Sequence, residues 1–286
     1  MASSEVDQKF LGKLAKAVEP ENPLLASVLF RILGLSINLS NQLIKARRIR
    51  PQDAQSTAAR DLACHIIWLS REGLVLLQQY VLPMVGNYDV LKVLAYKLRA
   101  SFYHIFVLFH NNPPVTTMGL ALQGQSAVGG DLSSSRGGAV NPPPGFGPMP
   151  PTAFLMKPGD YLPEAHQYFR EAVRLADELL WGSHSLRLSV KTEYAAFLYE
   201  CVHDAEASRK VAKDTITEVY EATEGIDNDM FNDACELVTV LGKMMRRGLN
   251  SSNTTPRSRA EGSGSGAQGT PRSQQQPIDS APPGMI

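Results

Sequence analysis

Asp227, Asp229 and Asp233 are the one place in this sequence where carboxylates crowd closely enough to suggest a divalent cation. Such an ion takes about six to eight oxygen ligands. The three stand where a helical pattern begins, however, and free N–H groups and the helix dipole favour carboxylates there as caps. An isoprenoid-type helical enzyme would need a second, facing cluster, and none occurs. The six histidines are scattered. His65 and His184 sit apart among helix residues, and the neighbours Cys64 and His65 point to different faces of a helix. No CxxC, HExxH, GxSxG or GxxxxGK[ST] pattern is present. The expectation is a protein that is not an enzyme and that holds no metal and no cofactor.

The other chemistry-bearing residues are charges. Lys45, Arg47, Arg48 and Arg50 form a basic run before Pro51, and cations in a last helical turn are what the dipole favours. With 28 basic and 28 acidic residues the formal net charge is zero, so no general attraction to nucleic acid is expected. Cys64, Cys201 and Cys235 are odd in number and lie in apolar patterns, as reduced core thiols of a cytoplasmic or nuclear protein would. The opening MASSEVDQKF lacks the basic and apolar regions of a secretory leader. No uninterrupted apolar run reaches the ~18 residues of a membrane helix, so no membrane is expected among the partners.

These residues must be positioned by helices. A short amphipathic helix fills residues 1–20, with Phe10, Leu11 and Leu14 on one side, and Pro20 and Pro23 mark a turn. Leu25, Val28, Leu29, Ile32, Leu39 and Leu43 then recur at three- and four-residue spacing to about Ile49. A second long helix spans roughly Pro51 to Leu82 with Leu62, Ile66, Leu69, Leu76 and Tyr80 on one face. A third covers Asp89 to His110. Residues 111–159 contain SSSRGG and NPPPGFGPMPP, too polar and Gly/Pro-rich to bury a core, and are expected to be a disordered insertion, more a linker than a polyproline ligand around Pro142–Pro144. Helical spacing resumes at Pro163. Ser183 is placed to cap a helix from His184 to Val202, Asp204 caps the next, and Asp227 or Asp229 opens the last, which carries Phe231, Ala234, Leu237, Val238, Leu241 and Met245. Residues 249–286 form a polar tail with the proline-directed sites Thr255-Pro256 and Thr270-Pro271. Strand patterns are not found. The expected fold is all-α, an antiparallel array of about eight helices in one domain whose halves, 1–110 and 160–248, flank the insertion.

Two segments carry a family resemblance. LLQQYVLPMVGNYDVLKVLAYKLRASFYHIFVLF, residues 76–109, resembles the 14-3-3 pattern of a helix ending in Leu-Ile-Pro, a turn, and a Lys-Val-Phe-Tyr-Leu-Lys-Met-Lys helix. Residues 184–241, beginning HSLRLSVKTEYAAF, resemble the family's His-Pro-Ile-Arg-Leu-Gly-Leu helix and the two after it. Chain order and helix lengths agree over roughly two-thirds of residues 1–248. The resemblance implies a helical cup, usually dimeric, that holds phosphoserine or phosphothreonine segments in an amphipathic groove. Charge is what such recognition needs, because a phosphate brings nearly two negative charges and accepts strong bonds from Arg and Lys.

Several implied pocket positions carry other residues here. His104 and Ile105 stand where the family has Arg-Tyr, and Glu193, flanked by Thr192, where it has the first groove Asn. Met244 takes the second Asn position and Gly248 that of the last helix's Trp, while aligning Gly34 places Phe30 and Ile37 at the basic positions of the first helix pair. Only Lys97 keeps a phosphate-binding type, and Leu237 and Val240 keep an apolar face. Lys97, His104, Leu237 and Val240 are therefore the groove candidates. Each charge-assisted bond lost removes about 1.5–3 kcal/mol, so the expected function is a protein-binding adaptor that grips segments without phosphate. The alternatives are a phosphopeptide adaptor with substituted pocket residues, such as Arg48, and a structural subunit whose groove stays covered. The region before the long helix has room for one helix where the family has the two of its dimer contact, which counts against the usual homodimer.

Overall fold

In the computed structural model, residues 4–115 and 159–247 are described. They form eight α-helices: α1 Glu5–Val18, α2 Pro23–Arg47, α3 Thr57–Leu76, α4 Asp89–His110, α5 Leu162–Leu179, α6 Ser185–Glu200, α7 Ala205–Glu221 and α8 Asn228–Arg246. The described residues contain no strand; one backbone bridge joins Asn111 and Gly159. The interior of the expected insertion and the tail, with Pro142–Pro144, Gly248, Thr255 and Thr270, lie outside the described residues.

Local chemistry sets the helix ends. Ser4 and Asp7 form a reciprocal capping box, with Asp7 N donating to Ser4 Oγ at 3.2 Å and Ser4 N to Asp7 Oδ2 at 3.1 Å. Asn22, Ser56, Asp204 and Asp227 cap α2, α3, α7 and α8. The cap of α6 is His184, not Ser183. Its Nδ1 accepts from Leu186 N at 3.1 Å, whereas the buried Ser183 Oγ finds no partner among the described residues. The second long helix is also shorter than its apolar pattern suggests. A 3-10 turn at Pro51–Asp53 precedes α3, and a π turn at Leu77–Val81 follows it. A π turn takes an extra residue, so the buried face moves to Leu77 and Val81, and Tyr80 is left 41% exposed.

Every helix packs on the next in sequence, and α6 also meets α1, α4 and α8. The main core joins α1–α6 through Leu11, Leu29, Ile32, Ile66, Leu94, Phe102, Phe106 and Leu186. A second cluster sets Phe169 of α5 against Phe197 of α6, and a third seats α8 through Leu241 and Met244. Phe231 turns outward, 55% exposed, because the buried stripe of α8 runs through Ala234, Leu241 and Met244. Cys201 is buried, which pushes its thiol up to about 12, whereas Cys235 is exposed rather than in the core. Only α2, among the described helices, is long and apolar enough to cross a membrane by length and composition. Here it lies in the core through Leu25, Leu29, Ile32 and Leu39.

The segment between α4 and α5 starts and ends at one place. Asn111, 1% exposed, accepts from Tyr161 N at 2.6 Å and donates to Asp160 Oδ1 at 3.2 Å. Asn112 N donates to Gly159 O at 2.9 Å. Asn111–Val115 and Gly159 therefore hold a defined conformation at the edges of the inserted stretch.

At Gly73, α3 lies so close to α4 that a Cβ would overlap the buried Phe102 ring. Gly73→Ala should lower the unfolding free energy by about 1–3 kcal/mol, read as a lower urea midpoint. A second expectation concerns pH. Burial lowers His184 from 6.5 to about 4, against the opposing pull of Asp227. The unfolded chain gains a proton below pH 6.5 that the fold refuses until about 4, so stability should fall across that window. His184→Asn, which keeps a capping acceptor, should flatten this decline in denaturant midpoints measured from pH 7 to 4.

Candidate functional site

Lys97, Ser101 and His104 follow one another at four- and three-residue steps, so they share one face of α4. Ser189 and Glu193 do the same on α6. The two faces meet inside the protein, and α1 brings Asp7 to the same point. Lys97 Nζ donates to a carboxylate oxygen of Asp7 and to Glu193 Oε2 at 3.0 Å. Ser101 Oγ donates to Glu193 Oε2 at 2.8 Å, and His104 Nδ1 lies 3.4 Å from Glu193 Oε1. Ser189 Oγ donates to Asp7 Oδ1 at 3.2 Å and lies 3.1 Å from Ser4 Oγ. Lys97 and Asp7 have no solvent exposure, and Glu193 and His104 have 2% each. The His104 ring stands edge-on to Phe169 and Phe197.

The electrostatics of this centre are settled by opposite charges at contact. Burial by itself lowers the Lys97 pKa, but the Asp7 and Glu193 carboxylates outweigh it and the net shift is upward. Burial raises Glu193, yet the Lys97 ammonium overrides that and holds it well below the ordinary range. Lys97 and Glu193 are thus both kept ionised. The ammonium that a phosphate would seek is already answered by two carboxylates and sealed from water.

A second network lies around α6. Arg187 and Lys191, one turn apart, both bind Asp177 of α5 and Glu218 of α7 at 2.5–2.9 Å. The helix is therefore enclosed on nearly every side, with its charges paired across three helices.

The remaining sequence candidates lie elsewhere. On α8, Leu237 is half-buried and Val240 is 38% exposed. Phe30 and Ile37 sit on the outer face of α2, at 39% and 45% exposure. Met244 is buried in the α8 seat, and Ile105 in the main core. The aspartates are engaged separately: Asp227 caps α8 by accepting from Met230 N at 2.7 Å, Asp233 accepts from Lys9 at 2.6 Å, and Asp229 lies 3.8 Å from Lys13. No three His, Cys, Asp or Glu side chains come together as a ligand set among the described residues. The structure brings Lys97, His104 and Glu193 together and leaves Leu237 and Val240 apart from them.

Sequence reasoning passed over Asp7, Ser101 and Ser189. The Ser4-x-x-Asp7 spacing is that of a helix start, a signal left unused, and nothing in it points across to Lys97, 90 residues away. Salt links from Lys9 and Lys13 to α8, together with packing on α2, α4 and α6, leave α1 flanked by four helices.

No protein-family model matches this sequence, and neither does any curated protein.

Removing one member of the centre strands the others. Lys97→Met should destabilise the protein by about 3–5 kcal/mol, because two buried carboxylates lose their counter-charge. Replacing the three together by apolar residues should cost far less, since no buried charge is left unpaired; urea denaturation of the single and triple variants measures both. The wild-type contribution is present above the ordinary glutamate value of 4.5 and is lost as pH falls through the lowered one. It is present below 10.5 and is lost as pH rises through the raised lysine value.

Proposed function

We propose that the protein is a non-enzymatic, protein-binding adaptor of 14-3-3-like architecture that takes partner segments without needing a phosphate. The single observation that carries this reading is the state of Lys97. It is the one cation kept at the expected pocket positions, and it is fully buried between Asp7 and Glu193. A phosphate could reach it only by expelling the Asp7 carboxylate, and it would then face Glu193, whose negative charge opposes it. The exposed chemistry is apolar instead: Phe30, Ile37 and Ile44 on α2, and Val240 on α8. Apolar anchors of this kind suit a segment held by side-chain burial.

The phosphopeptide alternative draws less support, because Glu193 is engaged with both Lys97 and His104. The covered-subunit alternative has one observation in its favour, since α1 already fills the space between α2, α4 and α6. Partners in the adaptor reading are protein segments, in a cytoplasmic or nuclear setting.

The test is affinity capture of partners on the full chain, from extract split into phosphatase-treated and untreated halves. The adaptor reading expects the same partners in both at comparable yield. Capture lost on phosphatase treatment would overturn it.

A further inference from the structure

Phe30, Ile37 and Ile44 repeat every seven residues along the outside of α2, and they are 39%, 45% and 46% exposed. Gly34 and Asn41 fall between them on the same line, and a Cβ built on Gly34 would meet nothing within 4 Å. The line is an uncovered stripe with an apolar side chain at one of the two core positions of each heptad, a spacing on which another helix can lie. From Phe30 to Ile44 it runs fourteen residue steps, roughly 21 Å or four turns at the usual helical rise.

The charges that α2 itself carries beside the seam are of one sign. From Pro23 to Arg47, α2 contains Arg31, Lys45 and Arg47 and no Asp or Glu, and Arg48 continues the row. The neighbouring α1 joins α2 through Gly12 against Leu33 and Gln8 against Ser40, and it exposes Lys9, Lys13 and Lys16. Lys9 and Lys13 pair with Asp233 and Asp229; among the described residues no carboxylate contacts Arg31, Lys16 or Lys45. A second copy laid on this seam would set cation rows against each other, because α2 has no acid to answer them. An acidic helix would meet Arg31 and Lys45 along α2 itself, and Lys16 on the α1 side, where Glu5 and Glu19 are also exposed.

We propose that the Phe30–Ile37–Ile44 seam is the docking surface for one acidic amphipathic helix of a partner protein. Apolar residues at heptad spacing cover the seam, and flanking Asp or Glu residues face Arg31, Lys45 and Lys16. The proposal rests on the adaptor reading and gives it a place and a partner class.

The probes are two synthetic helical peptides with the same leucine heptads, one flanked by Glu and one by Lys, titrated onto the full chain by fluorescence anisotropy. The Glu peptide should bind at least tenfold more tightly than the Lys peptide, with affinity falling as salt rises. Ile37→Asp and, separately, Ile44→Asp should each weaken it at least tenfold with unchanged thermal melts, since neither side chain is in the core. Equal binding of both peptides, or no effect of either substitution, overturns the proposal. So does a dimer in light scattering that Ile37→Asp dissolves, which assigns the seam to a second copy. Capture of phosphatidylserine vesicles that Ile37→Asp abolishes assigns it to a membrane and overturns it equally. If partner capture survives phosphatase treatment yet ignores Ile37→Asp, the seam fails while the adaptor reading stands.

Discussion

An ammonium group held between two carboxylates with no water around it ties three distant parts of this chain together. Lys97 comes from α4, Glu193 from α6 and Asp7 from α1. Each charge alone would make the fold prohibitively unfavourable, and only their simultaneous arrival makes burial tolerable. Helices that merely slide over apolar surfaces have many nearly equivalent registers. A charged centre has one, because a displacement of a single turn would leave an ion without its counter-charge. The position of α1 follows from this, with Leu11, Ala15 and Val18 buried along the side that Asp7 orients.

The same constraint explains the character of α6. Its sequence shows no clean polar face, since Ser185, Ser189, Lys191, Thr192 and Glu193 are buried along with Leu186, Leu188 and Phe197. Amphipathic patterning reports a helix with one wet side, and α6 has none. The cost of its interior charges is met by pairing on both flanks, with Lys97 on one and with Asp177 and Glu218 on the other. It is the hub on which α1, α4, α5, α7 and α8 converge.

Helix number, order and most of the buried stripes were legible in the sequence, because apolar spacing at three and four residues is a local property. Leu94, Leu98, Phe102, Ile105 and Phe109 are all buried where the periodicity of α4 puts them. The failures have local physical causes. A π turn moved the stripe past Tyr80, a histidine capped α6 in place of a serine, and Phe231 rotated outward from α8. The charged centre was half legible. Lys97, His104 and Glu193 were singled out through the 14-3-3 resemblance, as positions of a groove rather than of a buried centre, and their partners were not, since a carboxylate in a first helical turn has the local signature of a cap. Asp7 serves as cap and counter-ion together, and only the folded arrangement shows the second task.

The clasp at Asn111 has a consequence for how such a chain can vary. Because Asn111 and Asn112 bond directly to Gly159, Asp160 and Tyr161, the ends of the intervening stretch are held by the helical body itself. Lengthening a chain segment whose two ends are already fixed costs only about 0.6 kcal/mol per doubling. The body is thereby insulated from what is threaded through that point, and residues there can be gained, lost or exchanged with little effect on α4 or α5. Binding features placed in the stretch would be free to change on a different timetable from the fold that carries them.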